Sequence, residues 1–111
     1  MGLLTGKRRT GQALEAGDIR SRPPQWLEGF EDGSGADPEW VARVDALKDV
    51  LTSGGRTLGQ GALAWLWGRS QRTVPIPGFC SVEQAEQNAG AIAKGPLTAA
   101  QMADVDRILG R

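Results

Sequence analysis

The chain has 111 residues, with 13 Lys and Arg balanced by 13 Asp and Glu. That length suits one small domain, and a net charge of zero gives no basic field of the kind that marks nucleic-acid binders. Histidine and tyrosine are both absent, and Cys80 is the single cysteine. This excludes Ser-His-Asp and Cys-His catalysis, the usual zinc ligand sets, a tyrosine general acid and an internal disulfide.

The remaining proton carriers are Asp, Glu, Lys and Cys80. One unpaired cysteine suits a reducing compartment. No apolar run approaches the roughly 18 residues of a membrane span, and MGLLTGKRR lacks the apolar centre of a signal peptide. The expected location is cytoplasmic, with neither membrane nor nucleic acid as partner. Lys7, Arg8 and Arg9 form the one local basic cluster, which reads as a solvated patch.

Residues 1–36 read as a long loop region. They carry many glycines, the Pro23-Pro24 pair and the tail EDGSGADP. An unstructured stretch of that length is unusual in a compact domain. Trp26 and Phe30, four apart, are expected to share one short helical turn.

From residue 37 the pattern changes. Asp37-Pro38 reads as an N-cap followed by proline at the first helical position. Trp40, Val44, Leu47 and Leu51 then recur at helical spacing up to Gly54-Gly55. A second helix is predicted over about 57–68, opened by a Thr57/Gln60 capping box. Its body ALAWLW is apolar all round and so expected to be buried on most sides. Gly59 and Gly61 would each cost about 1 kcal/mol in an isolated helix, and are better explained by close approach of another backbone.

Thr73, Val74 and Ile76 favour a strand, shortened by Pro75. Gly78 suits the turn that follows. The third helix begins near Ser81, with Ser81 and Gln84 as another capping box and Val82, Ala85, Ala89 and Ile92 as its apolar side. Lys94-Gly95-Pro96 ends it. The fourth follows Thr98, with Gln101 completing its cap and Met102, Val105, Ile108 and Leu109 facing the core. Residues 37–111 thus read helix, helix, strand, helix, helix. A lone strand has to pair, and Gly2–Thr5 is the nearest candidate partner.

The stretches GLLTGK, DIRSRPPQW, ALAWLW, VPIPG, the Glu83–Asn88 segment and LTAAQMADVD together resemble, in order and spacing, the C-terminal part of aldo/keto reductases. The resemblance covers nearly the whole chain. It implies an α/β fold: a partial (β/α)8 TIM barrel fragment, about the last third, mostly helical with one or two strands. Residues 73–76 would be the eighth barrel strand. Barrel sites lie at the C-terminal ends of strands, where Pro77-Gly78-Phe79 falls.

In that family the turn after the eighth strand and the helix behind it hold the adenosine part of a nicotinamide cofactor, usually NADP(H). The resemblance therefore implies cofactor-binding roles for Gly78, Phe79, Cys80, Gln84, Gln87 and Asn88. Asn88 matches an asparagine that contacts adenine. Gln84 falls where members place either a basic residue or Gln. Gln87 replaces a usual glutamate, and Cys80 stands where many members carry Arg or Lys. These departures leave NAD open beside NADP.

The family's catalytic Asp, Tyr, Lys and His lie upstream of the matched region, and Lys7 is a loop lysine rather than the catalytic one. The chain alone is therefore expected to be inactive: a truncated product, a chain with a mis-assigned start, or half of a split reductase paired with an N-terminal barrel chain. A small helical interaction module is the alternative. Open sheet edges and apolar surface imply marginal stability or self-association.

Overall fold

A computed structural model describes residues 2–7, 10–12, 14–15, 17–31 and 35–111. Arg8 and Arg9 of the basic cluster lie outside the described residues. The chain divides into two compact units, Met1–Ala46 and Leu47–Arg111.

The first unit is mostly turns, but it holds more structure than its glycine content suggests. Two three-residue 3-10 turns cover Leu3–Thr5 and Ile19–Ser21. The second is capped by Asp18, whose side chain accepts from the Arg20 amide at 3.0 Å. Strands β1 (Phe30–Glu31) and β2 (Gly35–Ala36) pair antiparallel, Phe30 opposite Ala36. Both of those residues are buried. Gly29 needs to be glycine: its φ is +87°, and a Cβ there would come within 2.7 Å of Leu3 Cδ1.

Two expectations for this unit are corrected. Gly2–Thr5 is a 3-10 turn between two left-handed glycines, Gly2 and Gly6, rather than the end of a strand. Positive φ at both ends suits glycine and curls the chain. Trp26 and Phe30 share no helical turn. Trp26 is exposed in a turn after the two prolines, and Phe30 is buried in β1. Gly29, between them, has φ +87° and takes the backbone off the helical path.

Helix α1 (Pro38–Thr52) begins in the first unit and ends in the second. Asp37 caps it through Oδ1, 2.7 Å from the Glu39 amide. A 3-10 turn, Ser53–Gly55, follows. Helices α2 (Leu58–Arg69), α3 (Val82–Lys94) and α4 (Ala99–Ile108) complete the second unit.

The core of this unit is Leu47, Leu51, Ala64, Leu97 and Val105, flanked by Val50, Leu58, Trp65, Met102, Ile108 and Leu109. Gly61 lets α1 and α2 touch: a Cβ there would lie 2.1 Å from the Leu51 carbonyl oxygen. Polar ties finish the packing. The Leu97 amide donates to the Ala64 carbonyl at 3.1 Å. Arg56 reaches the carbonyls of Ser53 and Lys94 at 2.8 and 2.9 Å. Gln101 donates to Ser53 Oγ at 2.7 Å. Trp65 and Trp67, both half-buried, pack partly rather than standing free.

The expected strand at 73–76 does not form. Residues 73–79 carry no regular structure, and the described residues offer no neighbouring strand. Pro75 and Pro77 also remove every second N–H donor. Val74 and Ile76 stand 83% and 95% exposed. The architecture is mostly helical, but its two strands lie in the region read as loop, and no barrel closes among the described residues.

Candidate functional site

The segment Gly78–Asn88 runs from an exposed turn into the first two turns of α3. Ser81 is the N-cap, its Oγ accepting from the Gln84 amide at 3.2 Å. Gln84 answers one residue further back than a standard capping box. Its Oε1 accepts from the Cys80 amide at 2.7 Å, so the side chain holds the turn as well as the helix end.

Asn88, one turn on, donates from Nδ2 to the Gly78 carbonyl at 3.4 Å. The helix therefore grips its incoming turn with two amides on one face, at its start and at its end. This accounts locally for amides on the first two turns of a helix. Gln87 points elsewhere and donates to Glu83 Oε1 at 3.1 Å.

The six residues thus belong to one contiguous feature, but they differ in what they present. Gly78, Phe79 and Cys80 are exposed, Phe79 by 63%. Gln84 and Asn88 are half-buried and already engaged in the grip. Cys80 is a free thiol.

The apolar side expected for α3 is corrected. Val82 and Ile92 are 76% and 71% exposed, and the buried residue is Ala91. The inward side is made of small residues and amides because α2 comes close there. The buried Gln60 of α2 donates from Nε2 to the Gln87 carbonyl at 2.8 Å, and a Cβ on Gly90 would lie 3.4 Å from that nitrogen. This bridge is the feature that sequence reasoning missed. In the sequence the cap alone accounts for Gln60, and only the fold brings residue 87 to it.

Among the described residues the amides of Val82 and Glu83 have no acceptor, as expected for a helix start. Residues 78–88 contain Glu83 and Glu86 and neither Lys nor Arg. Free N–H groups at a helix start can receive a phosphate oxygen, and an exposed aromatic ring can lie against a flat heterocycle. The segment itself offers no cation for a further phosphate. No group of three or more His, Cys, Asp or Glu suited to a metal ion occurs among the described residues. No helix of theirs is long and apolar enough to cross a membrane.

Comparison with known proteins gives the segment its context. The model of the aldo/keto reductase family matches residues 1–110.

The chain belongs to the aldo/keto reductase family.

It is 30% identical over 92 residues to the aldo-keto reductase yakc [NADP(+)] of Schizosaccharomyces pombe. That match covers 82% of this chain and 25% of the relative, so the chain spans about a quarter of the length of the protein it resembles. No solved structure matches the chain significantly.

Proposed function

We propose that these residues form the adenosine-binding end of an NADP(H)-dependent aldo/keto reductase, a partial (β/α)8 barrel whose catalytic groups come from residues beyond these 111. The observation that carries this reading is the gripped turn before α3. It holds Phe79 and Cys80 outward, beside the acceptor-free amides of Val82 and Glu83. The family membership and the NADP(+) named for the fission-yeast relative support it.

In this reading the two amides and the helix dipole receive the diphosphate. Phe79 lies against the base, and Asn88 and Gln84 keep the turn in place. Cys80 borders the ribose, and Gln87, which donates to Glu83, steadies the first turns of the helix. The bound cofactor would supply hydride for interconverting a carbonyl and an alcohol. These residues bind and orient it, and they move no proton. With no tyrosine or histidine among them, reduction needs the rest of a barrel, on the same polypeptide or on another. A cytoplasmic setting accords with this role.

The acidic first turn bears on the choice of cofactor. Glu83 disfavours a second anion at the helix start, which leaves NAD(H) as the rival. Isothermal titration of the chain with NADP+, and separately with NAD+, tests both points. The reading expects saturable binding of NADP+; heats at the level of dilution for both nucleotides contradict it.

A second reading, a non-catalytic interaction module, is favoured by the exposed Val74, Ile76, Phe79, Val82 and Ile92. Exposed large apolar side chains of this kind mark an interaction surface where they adjoin one another. Sedimentation velocity distinguishes the two, because self-association through this surface would persist when nucleotide is absent.

A further inference from the structure

We propose that Gln60, on α2, is a positioning residue for the cofactor-binding end of α3; the inference rests on the adenosine-site reading above. Gln60 is only 7% exposed, the one buried polar side chain among the described residues. Both ends of its amide are engaged. Oε1 accepts from the Thr57 amide at 3.0 Å, and Nε2 donates to the Gln87 carbonyl at 2.8 Å. Its own backbone N–H donates to Thr57 Oγ1 at 3.2 Å. The side chain is therefore fixed at its root by the cap of α2 and at its tip by the middle of α3.

The target of that tip matters. A helical carbonyl has a second lone pair, so Gln87 can accept from Gln60 without losing its place in the helix. Gln87 directly precedes Asn88, whose Nδ2 holds the Gly78 carbonyl. Fixing the backbone at residue 87 therefore fixes the helix from which the turn is gripped. Gly90 lies beside the bridge, where a Cβ would sit 3.4 Å from Nε2, in van der Waals contact.

Only glutamine meets both demands in this place. Asparagine is one methylene shorter, and ionised glutamate has an acceptor for Thr57 but no donor for Gln87. A cap needs only the acceptor: the equivalent Gln101 of α4 accepts from the Thr98 amide at 2.8 Å and gives its own donor to Ser53 Oγ. The donor half of Gln60 is thus free to act on α3.

The test compares Gln60→Glu with Thr57→Ala in the full chain. The first keeps the capping acceptor and removes the bridging donor. The second weakens the cap and leaves the bridge. Amide hydrogen exchange of α3 and the Kd for NADP+ are measured on both variants.

For Gln60→Glu at neutral pH the expected result is faster exchange over residues 82–91 and a Kd raised about fivefold, the scale of one lost buried hydrogen bond. Affinity should recover as acid protonates the new carboxyl and restores a donor. Thr57→Ala is expected to lower the melting midpoint with Kd unchanged. Equal weakening by both variants, or no weakening by Gln60→Glu while wild type binds, overturns the inference. A wild-type chain that binds no NADP+ overturns the adenosine-site reading, and the inference with it.

Discussion

Helices α2 and α3 open with the same chemistry and use their faces in opposite ways. Each starts with a hydroxyl N-cap accepting from a glutamine amide three residues on. Helix α2 then turns apolar residues inward: Leu63 and Ala64 are buried. Helix α3 turns Gln84, Asn88 and Ala91 inward and leaves Val82 and Ile92 in water. Hydrophobic pattern states which face gains from burial. It does not supply the surface that would bury it. Helix α2 finds its cover within residues 47–111, and α3 finds only half of its own.

That contrast can be broken by substitution, and the effects should fall in a definite order. Leu51→Ala, in the core that receives α2, should cost about 3 kcal/mol by leaving a cavity. Chemical denaturation should register it as a lower midpoint with little change in slope. Gly61→Ala should cost about 2 kcal/mol through overpacking, because the new methyl meets the Leu51 carbonyl. If this variant melts like wild type, α1 and α2 are not in the contact described.

Caps come next. Ser81→Ala should lose about 1 kcal/mol and, through the linked Gln84 and Cys80, loosen the turn before α3. Amide exchange at residues 79–84 would report that loosening. The smallest effect is expected on the outward face of α3. Val82→Ser and Ile92→Ser should each change stability by within about 0.5 kcal/mol in the isolated chain. A loss comparable to that of Leu51→Ala would mean that the face is covered in solution, and would turn the contrast with α2 into a matter of assembly.

The four helices were legible because their ends are chemically marked. Asp37-Pro38, Thr57/Gln60, Ser81/Gln84 and Thr98/Gln101 each announce a start, and Gly95 a stop with φ +68°. The stripe of α4 and the Leu47 and Leu51 end of that of α1 follow from spacing alone, since they meet their cover nearby, whereas Trp40 and Val44 are only half-buried. Residues 73–76 read as a strand because Val and Ile prefer a pleated, half-buried surface, and the described residues provide no such neighbour. The hairpin at Phe30 and Ala36 escaped notice because two-residue strands carry no period.

At the site, the connected segment 78–88 was visible as a turn entering a capped helix. Sequence could not tell that Gln84 reaches Cys80, that Asn88 reaches Gly78 or that Gln60 reaches Gln87. Those contacts depend on side-chain direction and on α2 lying beside α3.

The most direct test of the adenosine-site account is a thermal melt of the chain followed by far-ultraviolet circular dichroism, with and without NADP+. A ligand bound only by the folded state raises the midpoint in proportion to the logarithm of its concentration. At about a hundredfold excess over Kd the account predicts a rise on the order of 10 °C for a domain of this size. Superimposable melts up to roughly millimolar nucleotide, where even weak sites fill, would contradict it.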